Sequence, residues 1–117
     1  MYRGPVTIRA ATLDDLDALV EGNLAMARET EALALERAVL ERGVRAVLAG
    51  ERAGSYRVLE QGRRVAAQLM ITYEWSDWRA ADLWWVQSVY VWPEHRRQGL
   101  YRRLYAHVRE EARAAGA

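Results

Sequence analysis

The fold of this chain is decided by VYVWPEHRRQGLYRRLY, residues 89–105. The segment opens with alternating apolar residues, which are typical of a strand. Pro93 ends the predicted strand near Trp92, because proline lacks the N–H that a sheet ladder requires. After a basic segment that contains Gly99, apolar residues recur at the spacing of one buried helix face: Leu100, Leu104 and Val108. The segment therefore predicts a strand, a tight loop and a helix.

The loop of this unit has the properties of an anion site. The first N–H groups of a helix have no intrahelical acceptor, and the helix dipole adds partial positive charge there. Gly99 at the joint lets these amides converge on a phosphate without an intervening side chain. Four arginines flank it: Arg96, Arg97, Arg102 and Arg103. An ordinary strand–helix junction with solvated arginines has the same pattern, so both interpretations are open at this point.

A family resemblance lies in the same residues. V-x-V-x-P-E-x-R-R-Q-G-L-Y-R-R-L resembles motif A of the GNAT acyl-CoA N-acyltransferases, whose core is R/Q-x-x-G-x-G/A. Arg96 and Gly99 match this core, whereas Tyr101 stands where the family usually has Gly or Ala. The resemblance implies acetyl-CoA as the acyl donor, with no metal. It also implies coenzyme contacts from ten residues: Val89, Tyr90, Val91, Arg96, Arg97, Gln98, Gly99, Leu100, Tyr101 and Arg102.

The remaining sequence predicts the element order β-α-α-β-β-β-α. Thr12 and Asp15 form a capping-box pattern at the start of the first helix, and Gln61-Gly62-Arg63 predicts a hairpin turn. Residues 29–31 fit either a turn or a continuous helix. The predicted strands are 6–8, 55–60, 64–73 and 83–92, and the predicted helices are 12–28, 33–48 and 98–115.

This order implies an α/β, GNAT-like fold with a mixed, mostly antiparallel sheet flanked by helices. Residues 1–117 would form a single domain. GNAT domains continue past this helix with a further strand and helix, so the resemblance implies a domain that is incomplete at its C-terminus or completed by another chain. The last strand would then expose an unpaired edge, which favours pairing and a homodimer.

Side-chain alternation along residues 83–92 predicts two faces for the last strand. One face would carry Trp84, Val86, Ser88, Tyr90 and Trp92, and the other Trp85, Gln87, Val89 and Val91. Because the chain has no phenylalanine, tryptophan and tyrosine must supply the aromatic packing of the core. We therefore predict core positions for Trp75, Trp78, Trp84 and Trp85, with an aromatic acceptor pocket as the alternative.

The predicted reaction is direct transfer of an acetyl group to a primary amine of a small molecule or peptide. In the family, a bulge in the strand before motif A frees backbone groups for the pantetheine, here those of Val89 and Val91. Glu74 is the candidate general base, because a partly buried carboxylate at a strand end would have a raised pKa. A solvated glutamate at the rim fits the same sequence.

Composition narrows the function classes. A net charge of +1 argues against nucleic-acid and membrane partners. The absence of cysteine excludes disulfides and thiolate chemistry. The two histidines, His95 and His107, give no metal-binding pattern. The N-terminus has no apolar signal segment, so we expect a cytoplasmic protein. The alternatives are a non-catalytic acyl-CoA-binding or regulatory remnant and, more distantly, a nucleic-acid binder that uses the arginine-rich last helix.

Overall fold

Residues 5–117 form a four-stranded antiparallel sheet with helices on both faces. The computed structural model describes residues 5–117, and the expectation for the N-terminus falls partly on residues 1–4, outside that range. The strands lie in sequence order, and each neighbouring pair is antiparallel. This confirms the predicted β-α-α-β-β-β-α order. The elements are β1 (Val6–Ala10), α1 (Leu16–Glu31), α2 (Arg37–Leu48), β2 (Ser55–Gln61), β3 (Arg64–Ser76), β4 (Ala81–Val91) and α3 (Leu100–Ala114), with 3₁₀ turns at Leu13–Asp15 and Pro93–His95.

A capping box starts the first helical segment, as predicted. The Thr12 hydroxyl accepts a hydrogen bond from the Asp14 amide at 3.3 Å, and the Asp15 carboxylate accepts one from the Thr12 amide at 2.8 Å. Arg9 of β1 donates to both oxygens of the same carboxylate, at 2.7 and 2.9 Å. Asp15 therefore joins the end of β1 to the start of the helix.

The junction between the first two helices differs from the prediction. Residues 29–31 continue α1, and the break falls at Ala32, which adopts a left-handed conformation with φ 52°. The second helix begins at Arg37 rather than Leu33. Leu33 and Leu35 instead lie exposed in the connection, because apolar spacing cannot show where a residue leaves the helical backbone region.

The β3–β4 hairpin is longer than predicted. Pairing runs out to Ser76 and Ala81, whereas the sequence predicted that these strands would end at Tyr73 and begin at Leu83. The pairing of β2 with β3 stops at Ile71. The outer part of the hairpin therefore projects beyond the rest of the sheet.

Two hydrophobic clusters pack on opposite faces of the sheet. On one face, α3 contributes Leu100, Leu104 and Val108 against a cluster of strand residues, which includes Leu59, Leu69 and Ile71. On the other face, α1 and α2 contribute Leu19, Val20 and Val44 against Tyr56 and Val58. The predicted buried stripe of the last helix is thus confirmed.

The tryptophan prediction is wrong for three of the four residues. Trp75, Trp78 and Trp85 are 64%, 96% and 53% exposed, and of the four only Trp84 packs against the core. The three lie where the hairpin extends past the other strands, so no helix or strand in residues 5–117 covers them. The buried tyrosines, Tyr56 and Tyr90, supply aromatic packing instead.

Within the described residues, none of the helices is long and apolar enough to cross a bilayer.

Candidate functional site

A β-bulge interrupts the last strand just before the predicted coenzyme loop. Tyr90 pairs with Gln68, but Gln87 pairs with Met70, so one residue of β3 faces two residues of β4. The two are Ser88 and Val89, and Ser88 is left-handed with φ 51°. A bulge with its first residue in this conformation bends its strand and locally disrupts the ladder. The family resemblance implied such a bulge at this place.

The bulge also changes which side chains share a face. Before it, Trp84 and Val86 pack against the α3 cluster, and after it Val89 and Val91 do so. Tyr90 instead reaches the end of α1 on the opposite face. The predicted division into two alternating faces is therefore wrong beyond Gln87, because an extra residue shifts the period-two alternation by one position.

The backbone of β4 beyond the bulge faces the open edge at alternate residues. The Trp92 amide donates to the Ala66 carbonyl at 2.9 Å, which directs Trp92 and Tyr90 toward β3. By the antiparallel alternation, the N–H and C=O groups of Val89 and Val91 point to the open side. The pantetheine contacts predicted for the two valines require this orientation and stay a prediction, whereas the backbone groups of Tyr90 point toward β3.

The loop after β4 presents a run of free amides. The first backbone bond of α3 joins the Arg103 amide to the Gly99 carbonyl at 3.1 Å. Within residues 5–117, the amides of residues 97–102 have no hydrogen-bond acceptor on the backbone or on a side chain. Arg97 and Gly99 are both left-handed, with φ of 65° and 73°. Left-handed residues within such a turn let successive amides converge into an anion-binding nest.

The free amides lie along a cleft of about 280 Å³. Predicted coenzyme residues line most of it: Val91, Arg96, Arg97, Gly99, Leu100 and Tyr101, together with His95. Gln98 and Arg102 flank the cleft in the chain, and Val89 and Tyr90 lie toward the bulge. An added Cβ at Gly99 would meet no atom within 4 Å, so its backbone conformation, rather than lack of space, favours glycine there.

Arg96 is already engaged by the protein. Its Nε donates to the Val91 carbonyl at 2.9 Å, and its Nη2 donates to Glu29 at 2.8 Å. The guanidinium carbon lies 5.4 Å from the centre of the Tyr90 ring, within cation–π range. Arg96 thus covers one of the two carbonyls on the open edge, instead of extending freely toward a phosphate.

Glu29 is one of two site residues that the sequence patterns did not indicate. Its second carboxylate oxygen accepts a hydrogen bond from the Tyr90 hydroxyl at 2.5 Å. The bonds from Tyr90 and Arg96 lower the pKa of Glu29, while burial and the neighbouring carboxylate raise the pKa of Tyr90 to about 12. The residue stands near the C-terminus of α1, where the helix dipole disfavours a negative charge. An acidic residue at this end of a helix was the only feature of the sequence that pointed to a special role for Glu29.

A second missed residue, Gln61, holds the loop from the β2 side. Its amide nitrogen donates to Gln98 at 2.8 Å, and its carbonyl oxygen lies 2.6 Å from Nδ1 of His95. His95 is thus half-buried and anchors the loop. By contrast, His107 lies on the exposed surface, 3.2 Å from Glu111.

Three arginines around the cleft remain available. Arg97, Arg102 and Arg103 are exposed and form no ion pair within the described part of the chain. Together with the free amides, they provide positive charge for an anionic ligand.

The structure does not bring Glu74 to this site. Its carboxylate is exposed, not partly buried, and accepts a hydrogen bond from Trp85 Nε1 at 2.9 Å. Glu74 pairs with Leu83, five residues along β3 from the position opposite the bulge. At about 3.3 Å per residue, the separation along the strand is roughly 17 Å, too far for a direct proton transfer at the bulge.

No cluster of three or more potential metal-binding His, Cys, Asp or Glu side chains occurs among residues 5–117.

Comparison with known proteins identifies the family. The model of the acetyltransferase (GNAT) family matches residues 20–117. A possible acetyltransferase from Clostridium difficile 630 is 45% identical, with a TM-score of 0.85 over 90% of this chain and 69% of that one. A predicted acetyltransferase from Clostridium acetobutylicum, in a crystal structure with acetyl-CoA, shares the fold at 16% identity, with a TM-score of 0.75 over 94% of this chain and 75% of that one. No curated protein gives a significant match. The chain belongs to the GNAT acetyltransferase family.

Proposed function

We propose that this protein binds acetyl-CoA at the loop of residues 96–102 and transfers its acetyl group to a primary amine. The observation that carries the proposal is that the amides of residues 97–102, which precede and open α3, have no hydrogen-bond acceptor among residues 5–117. Such amides favour a phosphate group, since they donate hydrogen bonds and carry the positive end of the helix dipole. Arg97 and Arg102 add charge that no carboxylate of the described chain neutralises.

The acyl chemistry belongs at the bulge. In the proposed complex, the pantetheine lies along the open edge, and the Val89 N–H polarises the thioester carbonyl. The neutral amine nitrogen of the acceptor attacks the carbonyl carbon. The new C–N bond forms as the C–S bond breaks, the electron pair leaves with the coenzyme sulfur, and the nitrogen loses one proton.

We assign this proton to solvent at the open edge rather than to a carboxylate. Glu74 lies roughly 17 Å away along the strand. Glu29 is closer to the bulge in the fold, but Tyr90 and Arg96 lower its pKa, which makes it a weak base. Glu74→Gln is therefore expected to leave kcat within about threefold of the wild-type value, a factor that corresponds to less than 1 kcal/mol. A fall of a hundredfold would restore Glu74 as the base.

Calorimetric titration with acetyl-CoA, alongside its desulfo analogue, tests the proposal. We expect micromolar binding of both, about −8 kcal/mol, and acetylation in an amine screen. Turnover without saturable binding of acetyl-CoA would contradict the assignment of residues 96–102 as its binding site. Binding without turnover of any amine would favour the alternative function, a non-catalytic acyl-CoA-binding domain.

A further inference from the structure

The outer hairpin, residues 72–85, carries a second feature with the properties of a ligand site. It comprises the parts of β3 and β4 that extend past β2. Trp85 and Glu74 lie on the face that also holds Thr72 and Gln87, whose side chains are hydrogen-bonded to each other. These four polar and aromatic groups form a continuous surface on two adjacent strands.

Trp85 is held in place but is not covered. Its indole N–H donates to Glu74 at 2.9 Å, while 53% of the residue is exposed. Because the ring stays in solvent, it gains no free energy from burial, and the hydrogen bond also restricts its rotation. A ligand bound against the ring would bury its apolar surface and gain that free energy.

Among residues 5–117, the carboxylate beside the ring has no cationic partner. Glu74 is absent from the eight ion pairs of residues 5–117, although the chain contains 17 arginines. An aromatic face attracts cations through its quadrupole, and an adjacent carboxylate adds a full negative charge. The complementary ligand group is an ammonium or another organic cation.

We propose that Glu74 and Trp85 form a subsite for a second ammonium group of the amine acceptor. This inference rests on the proposed function, because it takes the reacting amine to lie at the bulge. The strand spacing then places the second cation roughly 17 Å from the reacting nitrogen. A long linear diamine has that reach, and so does a lysine about five residues from the acetylated end of an extended peptide.

Steady-state kinetics with a matched pair of acceptors test the subsite. The pair is a long linear diamine and its monoacetylated form, which has the same chain but a single amine. For the wild-type protein we expect KM to be at least tenfold lower for the diamine, beyond the twofold statistical factor. Glu74→Gln and Trp85→Leu should remove this preference while kcat and the acetyl-CoA affinity stay unchanged.

The control is Asp82→Asn, which removes the same charge from an exposed residue of the same hairpin. Asp82 pairs with Trp75 and lines the cavity on the α3 side, so its variant should retain the preference. A preference that survives in Glu74→Gln, in a protein with an unchanged circular dichroism spectrum, overturns the subsite. A second pair, a peptide with lysine or norleucine five residues after the acetylated N-terminal residue, distinguishes a peptide acceptor from a small diamine.

Direct titration separates failure of the subsite from failure of the proposed function. The diamine is titrated calorimetrically into protein without acetyl-CoA, for the wild type and for Glu74→Gln. Binding that is lost in the variant supports the cation subsite even when no amine is acetylated. Acetylation together with identical diamine binding in the two proteins supports the proposed function and rejects the subsite.

Discussion

Arg96 occupies the first position of the family motif, yet its guanidinium is turned toward the protein. Glu29, the Val91 carbonyl and the Tyr90 ring account for its hydrogen bonds and its charge. A guanidinium held in this way positions the loop. Arg97, Arg102 and Arg103, which form no ion pair among residues 5–117, are better placed to bind an anion. Glu29 and Arg96 are 67 residues apart in the chain, so no local pattern could have indicated their pairing.

A double-mutant cycle tests this positioning role. Arg96→Ala, Glu29→Ala and the double variant should each weaken acetyl-CoA binding by a similar factor, about three- to tenfold, because either truncation breaks the same link. Calorimetry gives the three dissociation constants. Arg97 lies outside the link between Arg96 and Glu29, so the effects of Arg97→Ala and Glu29→Ala on the binding free energy should be additive. If Arg96→Ala weakens binding while Glu29→Ala does not, Arg96 is a direct phosphate ligand.

Asp15 should make the stability of the fold depend on pH. The Arg9 hydrogen bonds are the main cause that lowers its pKa from the usual 3.8 in the folded state. A lowered pKa contributes stability that is fully present above the unfolded value and is lost as the pH falls through the folded value. Asp15→Asn should therefore cost about 1–3 kcal/mol at neutral pH and progressively less below pH 4. Urea unfolding of both proteins measures this cost at neutral pH and below pH 4. An equal cost at all pH values would contradict a stabilising role for the Asp15 charge.

At the scale of the elements, the sequence predicted the kind and order of each segment but not the interruptions. The capping box, the hairpin glycine and the apolar stripe of α3 are local patterns, and each was confirmed. The left-handed residues Ala32, Ser88 and Arg97 are not glycines, so nothing in their identity marked them. The bulge at Ser88 consequently reversed the predicted faces beyond it.

Substitutions at Ser88 should separate the bulge from the side chain. Ser88→Gly suits φ 51° and should leave unfolding free energy within about 1 kcal/mol of the wild type, because the relief of strain offsets the entropy of glycine. Ser88→Val, β-branched and poorly tolerated in this conformation, should cost about 1–3 kcal/mol and weaken coenzyme binding. Equal stability of the two variants would show that the bulge does not require this backbone conformation.

The loop glycine offers a matched test of charge. Gly99→Asn and Gly99→Asp have nearly the same shape, and both residues tolerate a left-handed backbone better than most. Asn should lower acetyl-CoA affinity by less than about tenfold, whereas Asp, which places like charge beside the phosphates, should abolish measurable binding. Similar dissociation constants for the two would argue against phosphate at this loop.

For the whole molecule, the candidate site combines segments that are far apart in the sequence. The loop follows β4, but α1 holds it through Glu29 and β2 holds it through Gln61. Motif spacing could predict the free amides of the loop, since these depend on a single strand–helix junction. The supporting contacts depend on how three elements pack, which the order of residues alone does not specify.

The exposed edge of β4 should affect association. Residues 83–87, which precede the bulge and the proposed pantetheine contacts, carry no charged side chain, and charge is a common protection of edge strands. We expect a concentration-dependent homodimer in sedimentation velocity. Gln87→Lys, at an exposed position of this strand, should shift the equilibrium toward monomer, and Ala38→Lys on the exposed surface of α2 should not. A wild-type monomer at all concentrations would contradict this expectation.

The extra residue in β4 also constrains how the gene can change length. Deletion of one codon at the bulge would restore regular pairing, but it would turn the side chains on one side of that point to the opposite face of the sheet. Tyr90 would lose Glu29, or Val86 would leave the core. Insertions in the turn at residues 50–53, which pair with no strand, have no such effect. Among related genes, length variation should therefore gather in that turn and be rare between Trp85 and Pro93.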